Sequence, residues 1–421
     1  MHLFELKESL SRQRWRWVAF LTICIFYSYE FFLRISPSML VDQLLVQFHT
    51  TALGIAGFAT SYFLGYLIMQ IPAGLIYDRY SFRWVTTLGI ILCVLGTLMF
   101  TMTDQLVIAF VGRFILGCGS AFAFIGAITF VRKYLPDNYF TFMIAIVISI
   151  GTIAGAFGQV FVVKIIEHLS WHVTIDGMAI WGLMMAVMIL IIPPKNFVEV
   201  KNNLYVDPIP NIWTEIMLVI KTPALWTNAL IGSFLYLPTS ILAAVWGLEF
   251  FSKAFNINHT VGSVGIALLF VGWAVGGPIF SLISQRFRHE KLILNVSALL
   301  VCVLLFWLFL VSQIGELMLL SILFVFGLIS SAQVLVWKNF TVIFPNKSLV
   351  GTASSFTNLI IMLSIALWDL GIGQLINMIH HGAMNAAEKI SAHDLRMALC
   401  VLPILVLIVP VLTFLLPRNK T

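Results

Sequence analysis

Charge is what this sequence has least of. Only 10% of its 421 residues are Asp, Glu, Lys or Arg, against about 25% in a soluble globule. A chain so poor in charge cannot cover itself with a water-facing surface, and a soluble fold is excluded. Reactive constellations are scarce too. No loop of the GxxxxGK[ST] type occurs, so nucleotide-driven work is not expected. The five cysteines (Cys24, Cys93, Cys118, Cys302, Cys400) all lie in apolar runs without a CxxC pair, which argues for small buried side chains rather than disulfides or thiolate metal sites. His380 and His381 adjoin, but nothing around them completes a ligand set. Neither a metal nor a cofactor is expected. No nucleophile–base pair stands out, so the chain does not read as an enzyme.

What is present is apolar. Hydrophobic residues make up 60% of the chain, with 35 Phe, 12 Trp and 10 Tyr, the composition of lipid-facing helices and interfacial belts. A membrane-crossing helix takes about 20 mostly apolar residues. Twelve such stretches can be drawn, at 17–43, 52–76, 84–103, 106–131, 140–165, 173–193, 224–251, 260–284, 291–312, 317–343, 349–379 and 396–416. The expected fold class is an all-α polytopic membrane protein. The first stretch follows a basic segment (Lys7, Arg12, Arg14, Arg16) and is too long for a signal-peptide core, so it reads as a retained span.

Loop charges orient the spans. With the N-terminus inside, eighteen Lys and Arg fall in inside segments and four (Lys164, Lys253, Lys389, Arg396) in outside segments. That asymmetry satisfies the positive-inside rule and, with an even number of spans, predicts both termini in the cytoplasm; the expected location is the inner membrane. The net charge of +6 is dispersed over short loops, so no nucleic-acid partner is expected. The expected surroundings are a lipid bilayer, with the chain acting as a monomer.

A polar, Pro-containing segment at 194–222 divides the chain into a six-span bundle at 1–193 and another at 223–421. The halves echo each other. YDRYSFR at Tyr77–Arg83 has a counterpart in SQRFRHEK at Ser284–Lys291, and RKYLPDN at Arg132–Asn138 one in VIFPNK at Val342–Lys347. Such weak internal symmetry characterises repeat-built transporters.

Two motifs stand at span ends and faces. GLIYDRYSFR (Gly74–Arg83) joins spans 2 and 3. Its glycine permits close helix approach, and Asp78 suits the N-terminus of a neighbouring helix; an ordinary charged turn is the plainer reading. RFILGCGSA (Arg113–Ala121) in span 4 presents Gly117, Gly119 and Ala121 as a thin packing face. Gly151, Gly155 and Gly158 in span 5 suggest the same. The patterns at 74–83 and 113–121 resemble signature motifs A and B of the major facilitator superfamily, and the twelve spans and central loop are similar to that family over essentially the whole chain. The resemblance implies that Gly74, Asp78, Arg79 and Arg83 form a cytoplasmic gating motif, that Arg113 takes a role tied to proton coupling, and that spans 1, 4, 7 and 10 line a central cavity. Two positions depart from the pattern. Ser284 and Gln285 stand where the second copy of motif A would carry an aspartate, and Ala156 stands where drug/proton antiporters show proline. The segment YEFFLRISPS in span 1 is similar to proteobacterial facilitators associated with amino-acid or siderophore traffic.

Span 1 also carries the costliest charges. A charge at bilayer depth costs at least about 2.5–3.5 kcal/mol and marks a functional site by default. Glu30 lies ~20 Å and Arg34 ~26 Å above Trp17 at 1.5 Å per residue, and their i,i+4 spacing puts them on one face. Arg113, ~12 Å below the outer end of span 4, falls at the level of Glu30. Glu30 is therefore expected to meet Arg34 or Arg113. Three roles compete for these residues: a structural ion pair, proton coupling through Glu30, and capture of a carboxylate by an arginine. Asp369 in span 11 is the other deep acid, either coupled to protons or a cation, or buried against Gln374 or Ser364. Lys338 and Glu249 are explained by snorkelling. Tyr27, Tyr62, Gln70, Tyr236, Trp246, Gln333, Trp337, Asn358 and Trp368 are candidates for a moderately polar, aromatic-lined cavity.

The expected function is secondary active transport by alternating access: proton-coupled uptake of a small carboxylate-bearing or zwitterionic solute such as an amino acid, short peptide or organic acid. Efflux of a siderophore or toxic compound is the rival within transport. A non-transporting receptor or scaffold of the same fold is the rival outside it.

Overall fold

The computed structural model describes residues 2–36, 40–50, 52–191, 211–343, 349–379 and 391–416. Within them the regular elements are helices only. In chain order these are α1 (His2–Ile35), α2 (Val41–Gln47), α3 (Ala52–Arg79), α4 (Phe82–Thr101), α5 (Leu106–Tyr134), α6 (Phe140–His168), α7 (Trp171–Ile191), α8 (Ile212–Ile220), α9 (Pro223–Ile241), α10 (Gly247–Phe255), α11 (His259–Phe287), α12 (Glu290–Leu310), α13 (Glu316–Ser330), α14 (Leu335–Ile343), α15 (Val350–Ile379), α16 (Ala392–Leu399), α17 (Val401–Val406) and α18 (Ile408–Leu415). A helix satisfies every interior backbone N–H and C=O within itself, which is what a water-free surrounding demands.

Each of the twelve expected stretches falls on helix, the first of them divided between α1 and α2. Three rods are interrupted: α9–α10 by a π-helical turn at Leu242–Trp246, α13–α14 by a 3₁₀ turn at Ser331–Val334, and the last stretch into α16, α17 and α18. Among the described residues ten helices are long and apolar enough to cross a membrane, or eleven if α8 and α9, bent by 64° at their junction, count as one span. The expected span outside those eleven is α3, 28 residues long.

Two expectations need correction. The first span does not run to residue 43, because α1 ends at Ile35 and α2 starts afresh at Val41. Pro37 follows Ser36 in the sequence; it has no N–H to give to a helix and disfavours helical geometry in the residue before it. The segment dividing the halves is also not loop throughout. It holds α8, capped at its start by the Asn211 side chain accepting from the Trp213 N–H. The rest of that segment, together with Pro37–Met39, the VIFPNK residues 344–347, and His380 and His381, lies outside the described residues.

The chain forms two compact units, one of Met1–Lys221 with Phe344–Phe356, the other of Thr222–Ile343 with Thr357–Thr421. In the first, α5 is the axis and packs along both α3 and α4. The motif glycines make this possible. A Cβ on Gly117 would come within 2.0 Å of the Tyr62 carbonyl oxygen on α3, and one on Gly119 within 2.6 Å of the Cys93 nitrogen and Gly89 oxygen on α4. Backbone thus meets backbone on both sides of α5. On α6, Gly151 and Gly155 seat the rings of Tyr27 and Phe31 from α1. In the second unit α11 packs on α13, and α9 on α14 and α18.

Candidate functional site

The close approach of α3 to α5 fixes the height of Tyr62, and α1 brings Glu30 and Arg34 to it. Glu30 is wholly buried (0% exposed) and Arg34 nearly so, at 14%. Both Nε (3.0 Å) and a terminal nitrogen (2.7 Å) of Arg34 donate to a single oxygen, Glu30 Oε1. The Tyr62 hydroxyl donates to the same oxygen and itself accepts from Arg34 Nε at 3.2 Å. Glu30 Oε2 is buried without a hydrogen-bond partner among the described residues. The guanidinium lies over the rings of Phe31 and Tyr66, 4.9 and 5.2 Å from their centroids, where cation–π attraction helps hold it.

Arg113 does not join Glu30. Its terminal nitrogens donate to the carbonyls of Leu33 (3.0 Å) and Arg34 (3.3 Å), in the last turn of α1, where carbonyls lack helical partners and the dipole is negative. Its guanidinium lies over Phe58 and Tyr62. Of the two arginines offered to Glu30 by the sequence, Arg34 takes the acid and Arg113 holds the helix end that carries Arg34.

A second charged knot of the first unit surrounds the turn between α3 and α4. Asp78 accepts from the backbone N–H groups of Gly351 (2.9 Å) and Thr352 (2.8 Å), in the first turn of α15, and from Lys133 Nζ at 3.1 Å. Those are N–H groups no helix can satisfy internally. Gly74 allows the approach, since a Cβ there would lie 2.4 Å from the Gly351 oxygen. Arg79 pairs with Glu215 of α8 at 2.5 Å. Glu215 is fully buried and hydrogen-bonds Thr352 Oγ1, which also reaches Asp78 Oδ2 at 3.1 Å. One hydroxyl hydrogen cannot serve two carboxylates. Burial raises the Glu215 carboxyl above its ordinary 4.5, with Asp78 adding to the rise and Thr352 and Arg79 opposing it. Arg83, the motif's last arginine, stacks on Trp84 at 5.9 Å.

Sequence reasoning missed Glu215, Thr352 and Lys133. Glu215 stood in a segment read as loop, and only its burial on an amphipathic helix reveals its role. The only signal in the sequence was an acid among large apolar residues, IWTEIMLVI.

In the second unit Lys338 is not snorkelling. Its Nζ donates to Ser284 Oγ (2.7 Å) and the Ser284 carbonyl (3.1 Å) and pairs with Glu290. Lys133 likewise donates to the Tyr77 carbonyl at 3.1 Å as well as to Asp78. Ser284 and Gln285 stand where the motif copy would carry an aspartate, and Glu290, at the start of the next helix, supplies a carboxylate to Lys338 instead. Asp369 meets neither Gln374 nor Ser364. It accepts from the Trp246 indole N–H at 3.1 Å. Tyr236 packs its ring 5.2 Å from that of Trp273. Among the remaining candidates, Tyr27, Gln70, Gln333, Trp337 and Asn358 are buried, whereas Tyr236, Trp246 and Trp368 are half-buried. Glu249 pairs with Lys253 one turn on, at 3.3 Å.

Comparison with known proteins places this arrangement. In fold the chain is similar to the FucP transporter crystallised in its outward conformation, with a TM-score of 0.70 over 96% of this chain and 100% of that one at 14% identity. Local sequence similarity reaches the MFS-type transporter lnaF of Aspergillus flavus (28% over 132 residues, 31% of this chain and 27% of lnaF) and the transporter YybO of Bacillus subtilis (24% over 144 residues, 34% of this chain and 33% of YybO). It also reaches the MFS-type efflux pump elcC of Phaeosphaeria nodorum (27% over 128 residues, 30% of this chain and 22% of elcC). The matched stretch thus spans a third or less of each of these relatives. The family model described as Major Facilitator Superfamily covers residues 17–368, from Trp17 in α1 to Trp368 within α15, and the chain belongs to that superfamily.

Proposed function

We propose that the chain is a proton-coupled importer of a small solute bearing a carboxylate, working by alternating access from the inner membrane with both termini in the cytoplasm. The observation that carries the reading is the Glu30 cluster. One oxygen of a fully buried acid holds Arg34 and Tyr62, while the other has no partner among the described residues. A proton arriving on Glu30 cancels the charge that holds Arg34. The guanidinium is then free to take a substrate carboxylate in a forked, charge-assisted geometry. When the proton leaves, Glu30 reclaims Arg34 and the substrate loses its anchor. Substrate and proton therefore travel together. Arg113, tied to the end of α1, keeps Arg34 at a fixed height during the exchange. The Asp78–Arg79–Glu215 knot, with Lys133, Gly74 and Arg83, serves as the gating latch. FucP, the fold neighbour, is itself described as a fucose:proton symporter; this is an analogy of fold. The test is uptake into proteoliposomes from a panel of amino acids, peptides and organic acids under an imposed pH gradient. Wild type accumulates its substrate, and Glu30→Gln binds it without accumulating it against a gradient.

Efflux is the second reading, favoured by the likeness to elcC over 128 residues. Oriented vesicles given each sign of pH gradient separate the two. A receptor or scaffold would leave every such vesicle without net flux.

A further inference from the structure

The second unit holds a deep carboxyl group with no ion pair among the described residues. Asp369 lies ~15 Å from the end of α15, deep within an apolar helix, where an acid is costly unless it is paired. Among the described residues it accepts a single hydrogen bond, from the neutral indole of Trp246, and makes no ion pair. Other basic side chains of the unit have partners of their own. Lys253 pairs with Glu249, Lys338 with Glu290, Lys291 donates to the Leu416 carbonyl, and Arg396 to the carbonyls of Phe309 and Val311.

The backbone around this acid is built to bring the indole to it. Trp246 closes the π-helical turn Leu242–Trp246, one turn beyond Pro238. Such turns shift side chains out of α-helical register and occur frequently at functional sites. The indole lies along Gly373, where a Cβ would be 3.7 Å from Cζ2. Gly373 is one turn from Asp369 on the same face of α15. The ring edge is thereby fixed to one carboxylate oxygen, and Trp246, Trp368 and Asp369 all remain half-buried and reachable.

An unbalanced carboxylate against a tryptophan ring is the chemistry that recognises an organic ammonium group, through charge pairing at oxygen and cation–π attraction at the ring. An inorganic cation would need several oxygen ligands, and among the described residues Asp369 belongs to no group of three His, Cys, Asp or Glu. We infer that Asp369 and Trp246 form a recognition site for the ammonium group of an organic solute. The inference rests on reading the chain as a solute carrier. It does not depend on Glu30 being the proton site.

Thermal unfolding of the full-length protein in nanodiscs tests it, with choline and n-butylammonium as cations and 3,3-dimethylbutan-1-ol and 1-butanol as neutral counterparts of similar size. At least one cation raises Tm in a dose-dependent way and neither alcohol does. Asp369→Asn abolishes the rise. Trp246→Leu raises the half-maximal concentration by about two- to thirty-fold, the range of a lost cation–π contact. Glu30→Gln keeps the cation response while losing proton-driven accumulation, so the two readings fail separately. Absence of any cation response in wild type, equal stabilisation by the alcohols, or a full response in Asp369→Asn overturns the site. If Asp369→Asn does not elute as a folded species, an unchanged response in Trp246→Leu overturns it instead.

Discussion

Glu30 owes its behaviour to the donors gathered on one side of it. Removing Arg34 alone leaves an ionised or newly protonated acid in a dry site, whereas removing both partners leaves little to compensate. We expect Arg34→Met to cost about 3–5 kcal/mol of stability, as broken buried pairs do. The double variant Glu30→Gln, Arg34→Met should recover part of that loss; denaturation midpoints of the four proteins close the cycle. Glu215 gives a second expectation, in pH. Its folded value lies above the ordinary 4.5, so the folded state holds its proton more tightly than the unfolded one. The stabilisation is complete below that ordinary value and is lost as pH rises through the raised one. Wild-type stability should therefore fall more steeply than that of Glu215→Gln as pH rises from about 4.5, as Tm against pH would reveal. Of these residues, the i,i+4 spacing made Glu30 and Arg34 legible as a pair. The choice of Arg34 over Arg113 was not legible, because it depends on where α1 ends and which carbonyls it leaves open. Glu215 was invisible for a related reason: its partners lie on α3 and α15, far off in sequence.

At the level of elements, apolar runs of the right length identified the helices, since a helix meets the backbone's needs in lipid within a single segment. Ends and breaks were harder. The run from Trp17 continues past Ser36 in hydropathy, and only Pro37 hints at the stop. The π turn in α9–α10 has no composition signal beyond Pro238. The glycines of α5 were readable as a packing face, but not the identity of what they touch. That contact supports a prediction. Gly117→Leu drives a side chain into the Tyr62 carbonyl, 2.0 Å from the Cβ position, and must push α3 off α5. Overpacking of this kind costs about 1–3 kcal/mol or more. Because Tyr62 hydrogen-bonds Glu30, the same variant should lose coupled uptake to a greater degree than its fall in Tm accounts for. Gly177, whose Cβ would meet nothing within 4 Å, is the control position expected to tolerate alanine in both assays.

At the scale of the whole chain, the two units solve the same problem with different residues. Lys133 and Lys338, 205 residues apart in sequence, each tie a helix end to a carbonyl and a carboxylate. In the first unit the acid is Asp78 of the motif itself. In the second it is Glu290, six residues beyond Ser284. The lapsed motif copy was legible as a loss, and its replacement was not, since Glu290 sits outside the motif's spacing. We expect Lys338→Met to destabilise by about 1–3 kcal/mol through the stranded Glu290, and Glu290→Gln in the same chain to return part of it. The account as a whole stands on one acid exchanging one arginine with a substrate. Its most direct measurement is accumulation in proteoliposomes under an inward proton gradient, comparing wild type with Glu30→Gln. Wild type should concentrate its carboxylate-bearing solute, and the variant should equilibrate it without concentrating it. A Glu30→Gln protein that still concentrates the solute under that gradient would contradict the account.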